Sequence, residues 1–204
     1  MSLFGSDEES EPDPIGIEGL YHFSDLIPHS VLDAQLSLIS SSALLSLESN
    51  QSMLWGSQAR TIAAPLLDVL PALVRPLLPS AVYAMLFESD LTLQVIINLY
   101  SPKEGIIPHV DLPNRYADGI LGVSFLSSAM LEFSKEDQVV YSALLKPGDV
   151  YVLSGEARYG YNHAIPEREM DVYVEHGVKR TLVRGNRMSI TFRRMLPGAD
   201  LVGG

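Results

Sequence analysis

The chain has 204 residues, 47% of them hydrophobic and 19% charged, which excludes a disordered chain and suits a globular fold with its own core. The absence of cysteine excludes a disulfide scaffold, thiolate-held zinc or iron–sulfur sites and thiol catalysis. The formal charge of −11 is uneven: residues 1–100 carry twelve acids against Arg60 and Arg75 alone, whereas residues 101–204 carry thirteen acids against twelve bases.

Nucleic-acid affinity rests largely on neutralising phosphates, so extensive duplex binding through the acidic N-terminal half is not expected. No apolar run reaches the roughly 18–20 residues of a membrane span, so no membrane partner is expected. Residues 1–14 hold Asp7, Glu8, Glu9, Glu11 and Asp13 and no base, unlike a signal or transit peptide. They read as a disordered acidic leader on an intracellular protein, cytoplasmic or nuclear.

Residues 15–23 are apolar enough for an entry strand. Ser24 and Asp25 are potential caps for a helix patterned by Val31, Leu32, Leu36 and Ile39. The Ser-rich stretch 40–56 is ambiguous and holds Trp55, the single tryptophan, expected in the core. Residues 65–78 read as helix interrupted by Pro71 and Pro76.

From residue 91 the period shortens to two. Leu91, Leu93, Val95 and Ile97 alternate with Thr92, Gln94, Ile96, Asn98 and Tyr100. Further short strands are expected at 120–126, 130–133, 139–145, 150–153 and 188–194, punctuated by Gly and Pro, as in a sandwich or barrel. The expected architecture is α+β: a helical region over 15–90, then a compact antiparallel β unit over 91–204.

Three constellations carry chemistry. In His109-Val110-Asp111 an extended backbone puts imidazole and carboxylate on one side, where they can share an ion or simply hydrogen-bond to each other. His163, after the turn 155–162, would complete two histidines and one carboxylate, the set that leaves open positions on iron(II); a packed histidine between Tyr159 and Tyr161 is the plainer reading. His22, His29 and His176 have no acid two residues away at a strand edge. In residues 187–193 Met188, Ile190 and Phe192 alternate with Arg187, Ser189, Thr191 and Arg193. Two guanidinium forks at the ends of one face can bracket a small dicarboxylate, or can simply be solvated.

Taken together, the segments NLYSPKEGIIPHVD (98–111), GEARYGYNH (155–163) and RMSITFR (187–193) resemble the AlkB family of iron(II)- and 2-oxoglutarate-dependent dioxygenases. The resemblance implies a double-stranded β-helix (jelly-roll) core with N-terminal helices packed on it and His109, Asp111 and His163 holding iron(II). It further implies that Arg193 neutralises the C1 carboxylate of 2-oxoglutarate, that Arg187 with Tyr100 holds the C5 carboxylate, and that Asn98 steadies the cosubstrate. The implied reaction spends 2-oxoglutarate and O2, releases succinate and CO2, and hydroxylates a C–H bond. On an N-alkylated nucleobase of RNA or single-stranded DNA, N-methyl hydroxylation ends in formaldehyde and demethylation.

The pattern departs from nucleobase-repair members of the family at Pro113, where those members have an acidic residue contacting the base, and at Ser189, where some have Asn. In the family the N-terminal half builds a substrate lid; here it offers Trp55, Tyr83 and Phe87 as stacking groups. Residues 166–179 are expected as a loop that shapes the pocket or is mere surface. A protein side chain or a small molecule is the alternative substrate, and a non-catalytic binding module the third reading.

Overall fold

The computed structural model describes residues 16–42, 44 and 50–199, so the expected acidic leader lies outside the described residues. Twelve strands are described: β1 (Leu20–Phe23), β2 (Gln51–Trp55), β3 (Leu93–Tyr100), β4 (Ile106–His109), β5 (Ile120–Leu126), β6 (Ala129–Lys135), β7 (Gln138–Leu145), β8 (Val150–Leu153), β9 (Asn162–Ile165), β10 (Met170–Glu175), β11 (Val178–Val183) and β12 (Arg187–Arg194). Helices α1 (His29–Ser41), α2 (Gly56–Ile62), α3 (Ala64–Leu67), α4 (Leu70–Val74) and α5 (Ser80–Tyr83) precede β3, and α6 (Gly155–Tyr159) follows β8. None of these helices is long and apolar enough to cross a membrane.

The strands form a jelly roll. A six-stranded sheet runs β1-β8-β5-β12-β3-β2 and a four-stranded sheet runs β4-β9-β6-β7, with β10-β11 as a separate hairpin. Every pairing is antiparallel. The large sheet buries apolar side chains on both faces. Its outer face, with Val95, Ile97, Val123, Ile190 and Phe192, is buried under Leu66, Leu70 and Val74 of the helices. Its inner face meets the small sheet through Ile120, Leu131, Phe133, Tyr151 and Ile165. Strand periodicity sends alternate residues of β12 to these two environments, so Arg187, Ser189, Thr191 and Arg193 face inward.

Helix α1 does not start at Ser24 or Asp25. It begins after Pro28 with no side-chain cap, because Asp25 sits in a left-handed turn (φ 52°) and its N–H donates to Asp149 Oδ1 at 2.8 Å. The proline-rich stretch breaks into α3, α4 and a 3₁₀ turn over Arg75–Leu77, with Pro71 in the first turn of α4. Residues 166–179 are not a loop: most of them form β10 and the start of β11. That hairpin is tied down at its base by Asp171, which is fully buried and gripped by Arg184 (2.6 and 2.8 Å) and Arg168 (2.6 Å).

Among the described residues of the first ninety, only Gln51 and Met53 of β2 reach the cavity between the sheets. The helices pack on the opposite side. Tyr83 and Phe87 belong to that outer layer and are therefore no stacking groups for the cavity.

Candidate active site

The mouth between the two sheets is a cavity of about 200 Å³ whose walls include all seven of the residues singled out above. His109 ends β4, His163 lies directly opposite on β9, and Asp111 follows two residues after His109. His163, expected just after the turn 155–162, is on strand β9, and that pairing sets the two imidazole centroids 4.4 Å apart. One ligand atom from each of His109, Asp111 and His163 lies within 4.8 Å of the others, an arrangement that can hold one metal ion.

The electrostatics suit a cation. A carbonyl only accepts, so Nδ1 is the donor in the 2.8 Å contact between His109 and the Ile107 carbonyl, and Nε2 is the ring nitrogen available to a metal. Burial, helped by the neighbouring His109 and opposed by Asp111, lowers the His163 pKa to about 4, so this ring is neutral at physiological pH. Its Nδ1 is buried without a partner. Two imidazoles and one carboxylate with open sides form the donor set of non-haem iron(II).

The carboxylate is itself oriented. Asp111 is ion-paired with Arg193, whose guanidinium also lies 4.1 Å from the Tyr116 ring centroid. Its main-chain carbonyl accepts from Arg158 Nη1 at 2.7 Å. Arg158 is 1% exposed and sits on α6, within the segment that carries the resemblance, but its role was not legible there.

Along the inner face the register builds a ladder. Arg187 pairs with Tyr100, Ser189 with Asn98, Thr191 with Ile96 and Arg193 with Gln94. Arg187 is buried and its charge lies 5.5 Å from the Tyr100 ring centroid. Tyr151, absent from the sequence reading, is its second phenolic neighbour, and burial raises the pKa of both Tyr100 and Tyr151. Tyr100 shares a hydrogen bond with Ser189, and Tyr151 with Thr191. Tyr151 lies across Gly122, where a Cβ would meet the phenol ring at 2.2 Å. Among the described residues the buried Nε donors of Arg187 and Arg193 have no partner, nor does the amide of Gln94. Buried donors at two ends of a cavity are what a short dicarboxylate would satisfy. Asn98 Oδ1 accepts from Gln51 at 2.6 Å, so the NH₂ group is what Asn98 offers the cavity.

Trp55, expected in the core, is 40% exposed. It stands on edge strand β2, two residues beyond Met53 and on the same face as Gln51 and Met53.

A jelly roll with this site defines an iron- and 2-oxo-acid-dependent oxygenase, and the comparisons agree. Residues 40–193 match the 2OG-Fe(II) oxygenase superfamily, to which the chain belongs. Within it the chain is AlkB-like. It is 36% identical over 108 residues to the mimivirus protein "Uncharacterized protein L905", covering 50% of this chain and 48% of that one. Over 99 residues it is 34% identical to mouse "Alpha-ketoglutarate-dependent dioxygenase alkB homolog 7, mitochondrial" (48% of this chain, 43% of that one). Over 114 residues it is 32% identical to the frog Xenopus tropicalis "tRNA (carboxymethyluridine(34)-5-O)-methyltransferase alkbh8" (50% and 18%). The chain thus spans less than half the length of these relatives. Its fold resembles that of OsALKBH1, with a TM-score of 0.53 at 11% identity over 90% of this chain and 99% of the other. A Pseudomonas putida prolyl-4-hydroxylase gives 0.52 at 16% identity over 88% and 94%. Iron(II), 2-oxoglutarate and O2 are the requirements of the 2OG-Fe(II) oxygenases, the superfamily to which the chain belongs.

Proposed function

We propose that the protein oxidatively demethylates an N-alkylated nucleobase in RNA or single-stranded DNA. His109, Asp111 and His163 hold iron(II). Arg187 with Tyr100 binds the C5 carboxylate of 2-oxoglutarate, Arg193 takes the C1 end while steering Asp111, and Asn98 steadies the cosubstrate. The chemistry such a centre supplies when loaded is oxidative decarboxylation of 2-oxoglutarate coupled to hydroxylation of a substrate C–H bond. The chain's own work is to keep the His163 imidazole neutral, to fix the carboxylate and to seat the dicarboxylate away from water.

The observation that carries the substrate is the exposed Trp55 on the strand whose Met53 and Gln51 wall the cavity, a platform on which a planar base can stack. A relative named for action on tRNA supports the same reading. Single-stranded oligonucleotides carrying N-methylated adenine or cytosine should raise succinate and formaldehyde release, and Trp55→Ala should lower kcat/KM by about tenfold or more while leaving unstimulated 2-oxoglutarate turnover unchanged. No stimulation by any such oligonucleotide overturns the substrate and leaves the oxygenase standing.

A second reading, oxidation of a protein side chain, is favoured by the charge pattern. Of the six bases in residues 179–194, Arg184, Arg187, Arg193 and Arg194 are buried, which leaves only Lys179 and Arg180 exposed to meet a phosphate. On the surface Lys103, Lys135, Arg168 and Arg180 pair with Glu169, Glu156, Glu132 and Glu175. In that case peptides, and not oligonucleotides, stimulate turnover.

A further inference from the structure

We infer that the outer face of the large sheet carries a second binding site, for a small amphipathic carboxylate. A cavity of about 190 Å³ lies there, between helices and sheet, with Leu67, Tyr83, Phe87 and Phe192 in its walls and with Arg60 and Arg194 among its lining residues.

Arg194 carries the argument. It is 5% exposed, and its three hydrogen bonds all go to main-chain carbonyls: Nε and Nη2 to Leu86 (3.0 and 2.8 Å) and Nη1 to Leu91 (3.0 Å). Carbonyl dipoles satisfy donors but do not cancel a unit charge withdrawn from water. Among the described residues no carboxylate pairs with Arg194 or with Arg60. The buried charge of Arg194 therefore lies at a largely apolar cavity whose lining adds a second, exposed cation, Arg60. Burial and then the nearby Arg60 push the Arg194 pKa down, as expected of a cation lacking its counter-charge.

The backbone beneath is also unusual. Leu86, whose carbonyl accepts twice from Arg194, lies in a π-helical turn over Ala84–Glu88, a rare geometry that is frequent at functional sites. An occupant that relieves both features has an anionic head for the two guanidinium groups and an apolar body for the Tyr83 and Phe87 rings, whose centroids are 5.2 Å apart. The volume lies below the roughly 300–1,000 Å³ of drug-sized pockets, which limits that body to about one aromatic ring or a short acyl chain.

The test is a calorimetric titration of 3-phenylpropionate into the full chain, held without oxygen and loaded with iron(II) and excess 2-oxoglutarate so that the inner arginines are occupied. One-to-one binding is expected, weakened about tenfold or more when the probe is the neutral 3-phenylpropionamide or when the exposed arginine is changed, Arg60→Gln. Filling the cavity with Leu67→Trp should abolish it. Absence of carboxylate binding, equal binding of acid and amide, an unaltered Arg60→Gln titration, or displacement of the probe by further 2-oxoglutarate would each overturn the proposal.

Discussion

Asp111 and Arg158 stand 47 residues apart in the chain and are joined by a 2.7 Å hydrogen bond from the guanidinium to the main-chain carbonyl. Asp111 belongs to the His-x-Asp loop after β4, and Arg158 to the short helix α6 between β8 and β9. The bond therefore clips the loop bearing Asp111, directly after His109 on β4, to the segment leading to the third candidate ligand. Groups that orient metal ligands typically change metal affinity or activity by about 10–100-fold when removed.

Arg158→Met should accordingly weaken iron(II) binding by about tenfold or more while the fold persists. Iron titration followed by circular dichroism checks both halves. A variant with unaltered iron affinity would make Arg158 purely structural.

Arg187 offers a planar fork in a buried setting, which a lysine ammonium cannot reproduce. Arg187→Lys should raise the KM for 2-oxoglutarate by about tenfold or more, with a smaller change in kcat, because ground-state binding is what the fork supplies. Steady-state succinate assays across cosubstrate concentration give the split; an unchanged KM would remove Arg187 from the cosubstrate site.

Gly122 faces the Tyr151 ring so closely that any side chain must displace it. Gly122→Ala should cost about 1–3 kcal/mol in urea unfolding, the usual range for overpacking. Pairing it with Tyr151→Val should recover most of that loss. If the double variant is as unstable as the single one, the clash is not the cause.

Asp171 supplies a pH dependence. Burial alone would push its carboxyl up, but the bonds from Arg184 and Arg168 and from the Met130 N–H outweigh burial and hold it below the usual carboxylate range. A carboxyl whose folded pKa is the lower one adds stability above its unfolded value, near ~3.9, and loses that contribution as pH falls through the folded value. The stability gap between wild type and Asp171→Asn should be widest above about pH 5 and close on further acidification. A gap of constant size from pH 7 to pH 2 would contradict this.

The strands that read cleanly from sequence are those with an unbroken apolar face. β5 and β8 fall at the expected residues 120–126 and 150–153, because both are buried along almost their whole length. The inward arginines of β12 were legible for the same reason, their partners being Met188, Ile190 and Phe192. β4 and β9 were missed as strands: each is four residues long and is fixed by its partner across the cavity more than by its own pattern. β10 and β11 alternate too, but their apolar residues Met170, Val172, Val174 and Val183 face solvent, so no core pattern marked them. Tyr151 and Arg158 took their roles only from what lies opposite, Gly122 in one case and the Asp111 carbonyl in the other. Trp55 was misplaced because burial preference is an average, and an edge strand beside an open cavity is an exception to it.

The sheet order has a consequence for how the protein comes into being. β12 is the final strand described, yet it fills the central slot between β3 and β5. A nascent chain emerging from the ribosome has both flanking strands in hand long before it has the one that joins them. Until residues 187–194 arrive, the large sheet is two pieces with facing open edges, and the arginine ladder does not exist. Completion of the fold and assembly of the cosubstrate site are thus one late event. Chaperone protection of those open edges during synthesis would guard catalysis and stability together.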